Sequence, residues 1–460
     1  MWNKKFERSD RKKFLHLIEY LIKAIDSGKL AAGEPLPTQR ELSKKLNLSI
    51  GTITKAFKEL EKMGYLSGEI GRGTFVRDIS TDYNDFWYTE AKVPYKYNLG
   101  NFRTTELFNH TIQLNLLSAI REVSNDPALY LKLNDLSNCG TWDQKSTFLA
   151  WLTNIGLKSA TIENVSLLSA EFLTSSLLIR ALTKKGEKIL VESVSDPVVK
   201  EQIAESRRVA VPVEMDKFGI IPEQLDEVIK RDGPKLLFTS PTFQNPTGLT
   251  SSLKRKKEIM SVCEQHQVRV IEIGNLDFFY GKTINPYYEL NPELAIYVSN
   301  LYFHFNPSLN TSCVVGAKDV IGKMERHFKL IFWSGSQMLL EISRNLIGSK
   351  RSERIINERV KILQRRNEIF NSMFDEGKSP GLENCVLRWL EIPSGWTSSG
   401  LTQAAYENGI LVRNSDIFMA ESGKTIPFVR ISNGAIHSEE DYKKALAELN
   451  GLMQQRSLDQ

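Results

Sequence analysis

The 460-residue chain is poor in several features, and each shortage excludes something. Its four cysteines, Cys139, Cys263, Cys313 and Cys385, form no CxxC pair and have no histidine at ligand spacing. A disulfide framework and a zinc site are therefore not expected, and buried thiols in a reducing, cytoplasmic setting are. Behind the charged start MWNKKFERSDRKKF no apolar stretch follows, so no signal peptide is expected. Low-complexity segments and internal repeats are absent. From Leu294 to Ala317 there is no lysine, arginine, aspartate or glutamate, although a quarter of the chain is charged. This stretch holds Asn300, Asn306, Pro307, Ser308, Asn310, Thr311 and Ser312, too many polar groups for a membrane span.

What is present is the composition of a soluble globular protein, 41% hydrophobic and 25% charged, long enough for two or three domains. The formal charge of +5 is unevenly spread. Residues 1–77 carry 16 Lys plus Arg against 9 Asp plus Glu, and the rest carries 44 against 46. A positive charge confined to one domain suits a polyanionic partner such as double-stranded DNA.

In that first domain Phe14, Leu17, Ile18, Leu21, Ile22 and Ile25 repeat at helical spacing, and the helix should end near Gly28. After the turn AAGEPLP, the sequence TQRE reads as a capping box, Thr38 with Glu41, opening a short helix through Leu46. A tight turn at 47–49 leads to a third helix, with Ile53, Ala56, Phe57, Leu60 and Met63 on its core face and Gly64 as its stop. Its other face begins Ser49, Gly51, Thr52, Thr54, Lys55, small polar and basic groups suited to a major groove. YLSGEIGRGTFV then reads as a hairpin with Gly71, Arg72 and Gly73 at its tip.

The order of LPTQREL, GTIT, GY and GRGTFV over Ser27 to Val76 resembles the winged helix-turn-helix of the GntR regulators. The resemblance implies that Thr38, Gln39 and Arg40 grip phosphates and the groove edge, that Ser49, Gly51, Thr52, Thr54 and Lys55 read or position, and that Arg72 enters the minor groove. One departure is Ile50, where the family often carries arginine. Thr38 has an equally good purely structural role as a cap, and Arg40, Lys55 and Arg72 could be solvated charges.

Residues 78–94 read as a linker. Beyond them, EKILVES, RVAVPVEM, PKLLFTSP, VRVIEIG, LAIYVSNLYF and TSCVVGA are strand-like runs alternating with helical segments, an α/β layering around a mainly parallel sheet. The loop SPTFQNPTG, Ser240 to Gly248, directly follows one such strand. It is similar to the S/TPxxQxPTG loop of the fold-type I pyridoxal-phosphate (PLP) enzymes, the aminotransferase superfamily. A winged helix joined to that fold resembles the MocR subfamily of GntR regulators across nearly the whole chain: 1–77 the DNA-binding domain, 78–94 the linker, 95–455 an aminotransferase-like effector and dimerisation domain.

By that resemblance four positions of the cofactor chemistry are altered. The family's Schiff-base lysine falls on Phe303 and the arginine after it on Asn310. Its strand end IEDDY falls on IEIGN, so the carboxylate that protonates the pyridine nitrogen becomes Ile273 and the tyrosine Asn275. The ring-stacking aromatic falls on Asp196, and the phosphate loop shrinks to SAEF, Ser169 to Phe172. A different register, with the carboxylate supplied by DFFY from Asp277, places it four residues past the strand end. Two groups are retained: Asn245, which in the family faces the cofactor's phenolic oxygen, and Arg430, which matches the fork that grips an α-carboxylate. Each has a structural alternative, the first in its Asn-Pro turn and the second in a salt bridge within the fold. His304, alone on a strand among aromatics, reads as a packed side chain.

The expected protein is a DNA-binding transcription regulator, a homodimer without membrane attachment. Its second domain has no covalent PLP and serves in dimerisation or in binding a carboxylate-bearing, amino-acid-like effector. One alternative is a sensor that binds PLP non-covalently, and another is a working aminotransferase, which would need a lysine at 303.

Overall fold

The computed structural model describes residues 13–26, 29–31, 33–62, 65–69, 73–76, 95–102, 107, 109–134, 139–169, 171–379, 381–421 and 423–458. Gly28, Gly64, Gly71, Arg72 and the linker at 78–94 lie outside them. Two compact units result, the first holding Met1–Pro94 with the short segments Lys185–Glu187 and Glu201–Ala210, the second the remainder.

The head is three helices and a hairpin around one core. Helix α1 (Lys13–Asp26) contributes Leu17, Ile18 and Leu21, α2 (Gln39–Leu46) contributes Leu42 and Leu46, and α3 (Ile50–Lys62) contributes Ile53, Phe57 and Leu60. These are the apolar positions of the helical repeats, and burying them holds helices too short to persist alone. Asn47 ends α2 in the left-handed region, φ 54°, donating its amide to the Ser43 carbonyl and turning the chain into α3. Strands β1 (Leu66–Glu69) and β2 (Gly73–Val76) form the hairpin, antiparallel from Leu66 opposite Val76 to Glu69 opposite Gly73. The stretch expected as a plain turn before α2 also pairs with the wing: Pro35 bridges Phe75, and the Leu36 amide reaches the Thr74 carbonyl at 2.8 Å.

The second unit is built on a seven-stranded sheet. Its strands are β3 (Val165–Leu168), β4 (Lys188–Glu192), β5 (Val209–Val213), β6 (Leu236–Thr239), β7 (Arg269–Gly274), β8 (Ala295–Asn300) and β9 (Ser312–Val315), in the spatial order β3-β9-β8-β7-β6-β4-β5. The pairs β4/β6, β6/β7 and β7/β8 are parallel, while β9 runs antiparallel to both β8 and β3. Every residue of β3, β6, β8 and β9 is buried, as in a sheet covered on both faces. The uncharged run of the sequence is thus β8, the turn after it, and β9.

A smaller antiparallel sheet places β12 (Phe428–Ser432) between β10 (Leu387–Glu391) and β11 (Arg413–Asn414). Further helices are α4 (His110–Ser124), α5 (Lys318–Phe332), α6 (Gln337–Ile347), α7 (Lys350–Asn371) and α8 (Glu439–Leu458). Phe370 of α7 and Tyr442 and Leu446 of α8 share a core with Leu390 and Ile431 of the small sheet. Among the described residues no helix is long and apolar enough to cross a membrane.

Candidate functional site

In the head, local hydrogen bonding decides which predicted contact residues face outward with groups to spare. Thr38 caps α2: its hydroxyl accepts the Glu41 amide at 3.3 Å, and its own amide donates to the Glu41 carboxylate at 2.9 Å. That donor, with the Thr38 hydroxyl after it, holds the Glu41 carboxyl below the usual range. The Thr54 hydroxyl donates to Gln39 Oε1 at 2.6 Å and approaches the Ile50 carbonyl at 3.0 Å, tying α3 to α2. Ser49 Oγ accepts the Thr52 amide at 3.1 Å and lies 2.8 Å from Thr52 Oγ1. Arg40, Gly51 and Lys55 are exposed, the Lys55 ammonium 4.4 Å above the Phe14 ring. Ile50 is also exposed, at 47%.

In the second unit the carboxyl ends of parallel strands gather the positions where a fold of this type binds ligands. After β6 the loop Ser240 to Gly248 wraps around Glu192, the last residue of β4. The Glu192 carboxylate accepts from the Thr239 hydroxyl at 2.6 Å, the Ser240 amide at 3.0 Å and the Gln244 side chain at 3.0 Å. Burial pushes its pKa above the usual carboxylate range, and those three donors oppose the shift. Gly248 closes the loop at φ +69°, where an added Cβ would collide with the Leu387 carbonyl and Cys385 Sγ.

Asn245 of this loop joins two other chain segments. Its Nδ2 donates to Asp196 at 2.9 Å, and its Oδ1 accepts from Arg430 Nη1 at 2.9 Å. Arg430, on β12, also donates through Nη2 to the Gly100 carbonyl and lies over the rings of Phe418 and Phe102, at 4.9 and 5.8 Å. Its Nε has no partner among the described residues. Burial first, then the like charge of Arg413, pull its pKa down to about 9, while Asp196 opposes. Both direct partners of this buried guanidinium are neutral.

Phe303 lies in the turn after β8, buried, with its ring stacked on Phe102 at 4.4 Å between centroids and 19° between planes. Asn300 at the end of β8 accepts the Phe303 amide at 3.3 Å and donates to Asn275. Ile273 is buried on β7, and Asn310 is half-buried. A side chain at Gly274 is blocked by the Asp277 carboxylate and the Tyr297 hydroxyl, which bond each other at 2.8 Å. In the shrunken loop, Ser169 Oγ accepts the Ser336 amide at 2.9 Å. Lys318 opens α5 and pairs with Glu163. Phe303, on which the resemblance places the family's lysine, carries no amine and is stacked on Phe102, so this side chain does not fit the role of an aldimine lysine.

His304 differs from expectation in its setting. It occupies a turn, beyond the end of β8, since the strand stops at Asn300. It is buried edge-on to Trp151 and Phe278, with Nδ1 on the Asn300 carbonyl.

Sequence reasoning missed Arg359 of α7. Buried, it donates to the carbonyls of Leu107 at 3.0 Å, Phe303 at 3.2 Å, His304 at 2.7 Å and Phe305 at 2.6 Å, so it holds the turn that carries Phe303. The available signal was an arginine in the apolar stripe Ile355, Ile356, Ile362, Leu363.

Comparison with known proteins matches residues 14–76 to the bacterial regulatory proteins of the gntR family and residues 151–299 to aminotransferase class I and II. The HTH-type transcriptional regulator YdeF of Bacillus subtilis (strain 168) is 22% identical over 98% of this chain and 96% of its own length. The HTH-type transcriptional regulator NorG of Staphylococcus aureus (strain N315) is 24% identical over 78% and 84%. Among solved structures, an archaeal alanine:glyoxylate aminotransferase superposes with a TM-score of 0.72 at 17% identity, covering 86% of this chain and 98% of that one. The α-aminoadipate aminotransferase LysN of Thermus thermophilus gives 0.69 at 17%, covering 78% and 92%. These likenesses establish the aminotransferase fold alone.

Proposed function

We propose, for a chain that is a helix-turn-helix transcriptional regulator of the GntR and MocR type, that its aminotransferase-like domain has lost covalent cofactor chemistry and works in subunit pairing and effector binding. The observation that carries the first part is Phe303, stacked on Phe102 in the place where an aldimine needs a lysine. By the resemblance Ile273 and Asn275 stand where the family has the ring carboxylate and the phenol, so a transaminase reading would have to find the amine, the carboxylate and the phenol elsewhere.

The effector reading rests on Arg430. A buried guanidinium with two neutral partners and an idle Nε is short of negative charge, and a carboxylate supplies it in bidentate form. Asn245 and Asp196 beside it offer an acceptor surface for an ammonium group, which favours an amino acid over a simple acid.

Pairing of two copies is supported by α4. Its Leu114, Leu117 and Ile120 are exposed on one side, and Leu117 and Ile120 line an apolar groove of about 290 Å³ with Leu309, Ile342 and Leu346. An apolar face of this kind on a regulator that reads paired half-sites is suited to a twofold interface.

One titration tests head and effector site together. Duplex binding by the whole chain is followed against salt, with and without a panel of α-amino acids. Arg40→Ala is expected to lower the slope of log K against log salt by about 1, the loss of one phosphate contact. Arg430→Met is expected to keep that slope and to abolish any response to the panel. A slope unmoved by Arg40→Ala, or a response unmoved by Arg430→Met, would count against the corresponding assignment.

A further inference from the structure

Helix α3 presents to solvent a surface whose hydrogen-bonding groups are largely committed within the head. The single proton of the Thr54 hydroxyl goes to Gln39 Oε1, at 2.6 Å. Ser49 and Thr52 spend one hydroxyl proton on each other at 2.8 Å, and Ser49 Oγ also takes the Thr52 amide. Beside them, in the first turn of the same helix, stands Ile50, 47% exposed on a basic domain. Its neighbour Gly51 meets nothing closer than Ser49 Oγ at 4.0 Å from where a Cβ would be, so the flank of Ile50 is open to a close approach.

We propose that Ile50 is a specificity-determining residue of the head and reads the C5-methyl group of a thymine in the major groove. The inference rests on the reading of α2 and α3 as the DNA-contacting pair. The second helix of such a pair enters the major groove with its first residues nearest the base edges. There each base pair offers donors and acceptors, and only thymine offers an alkyl group. A guanidinium at this position would call for guanine O6 and N7, whereas a branched alkyl chain gains nothing from them and is penalised for stripping water from them. Against a methyl group the same chain gains the burial of about one carbon in all. That is worth about four-fold in affinity for each half-site, with the basic side chains Arg40 and Lys55 supplying the sequence-independent part.

The test uses the full chain and a randomised duplex pool. The preferred duplex is selected in vitro, and each thymine is then replaced singly by deoxyuridine, which removes the methyl group and leaves every hydrogen-bonding edge unchanged. For the wild type, one thymine per half-site is expected to lose about four-fold in affinity on demethylation. For Ile50→Ala the same replacement is expected to change nothing, while the salt slope stays that of the wild type, which shows a folded head with its phosphate contacts in place. Ile50→Val, which keeps the branched carbon, is expected to retain part of the methyl dependence. The proposal is overturned if the wild type selects a sequence but is indifferent to demethylation at every thymine. It is equally overturned if Ile50→Ala keeps the full dependence. Failure of the wild type to select any sequence would overturn the DNA reading of the head, and this proposal with it.

Discussion

Burial moves the pKa values of Asp277 and His304 in opposite directions. Asp277 is pushed up to about 7, by burial first and the charge of Glu272 second, with Tyr297 donating to it at 2.8 Å. His304 is pulled down to about 4 by burial, opposed by its bond to the Asn300 carbonyl. From the ordinary values of 3.8 and 6.5, native Asp277 holds a proton between pH 4 and 6.5 that the unfolded chain has lost. Over the same range native His304 lacks one that the unfolded chain has gained. Proton linkage gives the signs: Asp277 makes stability fall as pH rises, His304 makes it rise, and the two offset. Asp277→Asn removes the first contribution only. Its unfolding free energy is therefore expected to climb with pH relative to wild type by up to about 1.4 kcal/mol per unit between pH 4.5 and 6. Urea titrations across that range check it, and equal slopes for the two proteins would contradict the assignment.

At the scale of elements, helix α7 fixes the turn after β8 through one side chain. Arg359 donates to the carbonyls of Leu107, Phe303, His304 and Phe305, none of them a carboxylate, and its burial pulls its pKa down to about 9. Arg359→Met strands those carbonyls, each at about 1–3 kcal/mol, and relieves the burial of a charge, which offsets part of the loss. A net destabilisation of about 2–4 kcal/mol is expected in chemical denaturation, with Arg359→Lys recovering less than half because the fork is gone. A Met variant as stable as wild type would show that the turn stands without it.

Elements were legible in the sequence wherever their causes are local. The capping box at Thr38 and Glu41, the helical stripe from Leu17 to Leu21, and the buried run Ala295–Asn300 all follow from neighbours within a few residues. The pairing of Pro35 with Phe75 and the antiparallel direction of β9 were not legible, because an apolar run encodes burial and carries no mark of its partner or direction. The site divides the same way. Phe303 could be placed by its spacing from Pro307, but the chain of Asp196, Asn245 and Arg430 joins residues 49 and 185 positions apart, and Arg359 reaches its carbonyls over 54 to 252 positions.

At the scale of the whole molecule, the proposed role of the second domain is to pair two copies of the chain. The apolar side of α4 is the feature that serves this, and a carboxylate at its centre cannot be buried without a partner. Leu117→Glu is expected to shift the sedimenting species from dimer to monomer and to weaken duplex binding while single-head affinity persists. A dimer that survives the change would place the interface elsewhere.

The central claim is that no aldimine forms on this chain. The purified protein is mixed with PLP, its near-ultraviolet spectrum is recorded before and after borohydride, and the intact mass is measured. The account predicts no protein-bound aldimine band, no change on reduction beyond that of free PLP, and an unmodified mass. A reducible band accompanied by a phosphopyridoxyl adduct at stoichiometric yield on one lysine would contradict it.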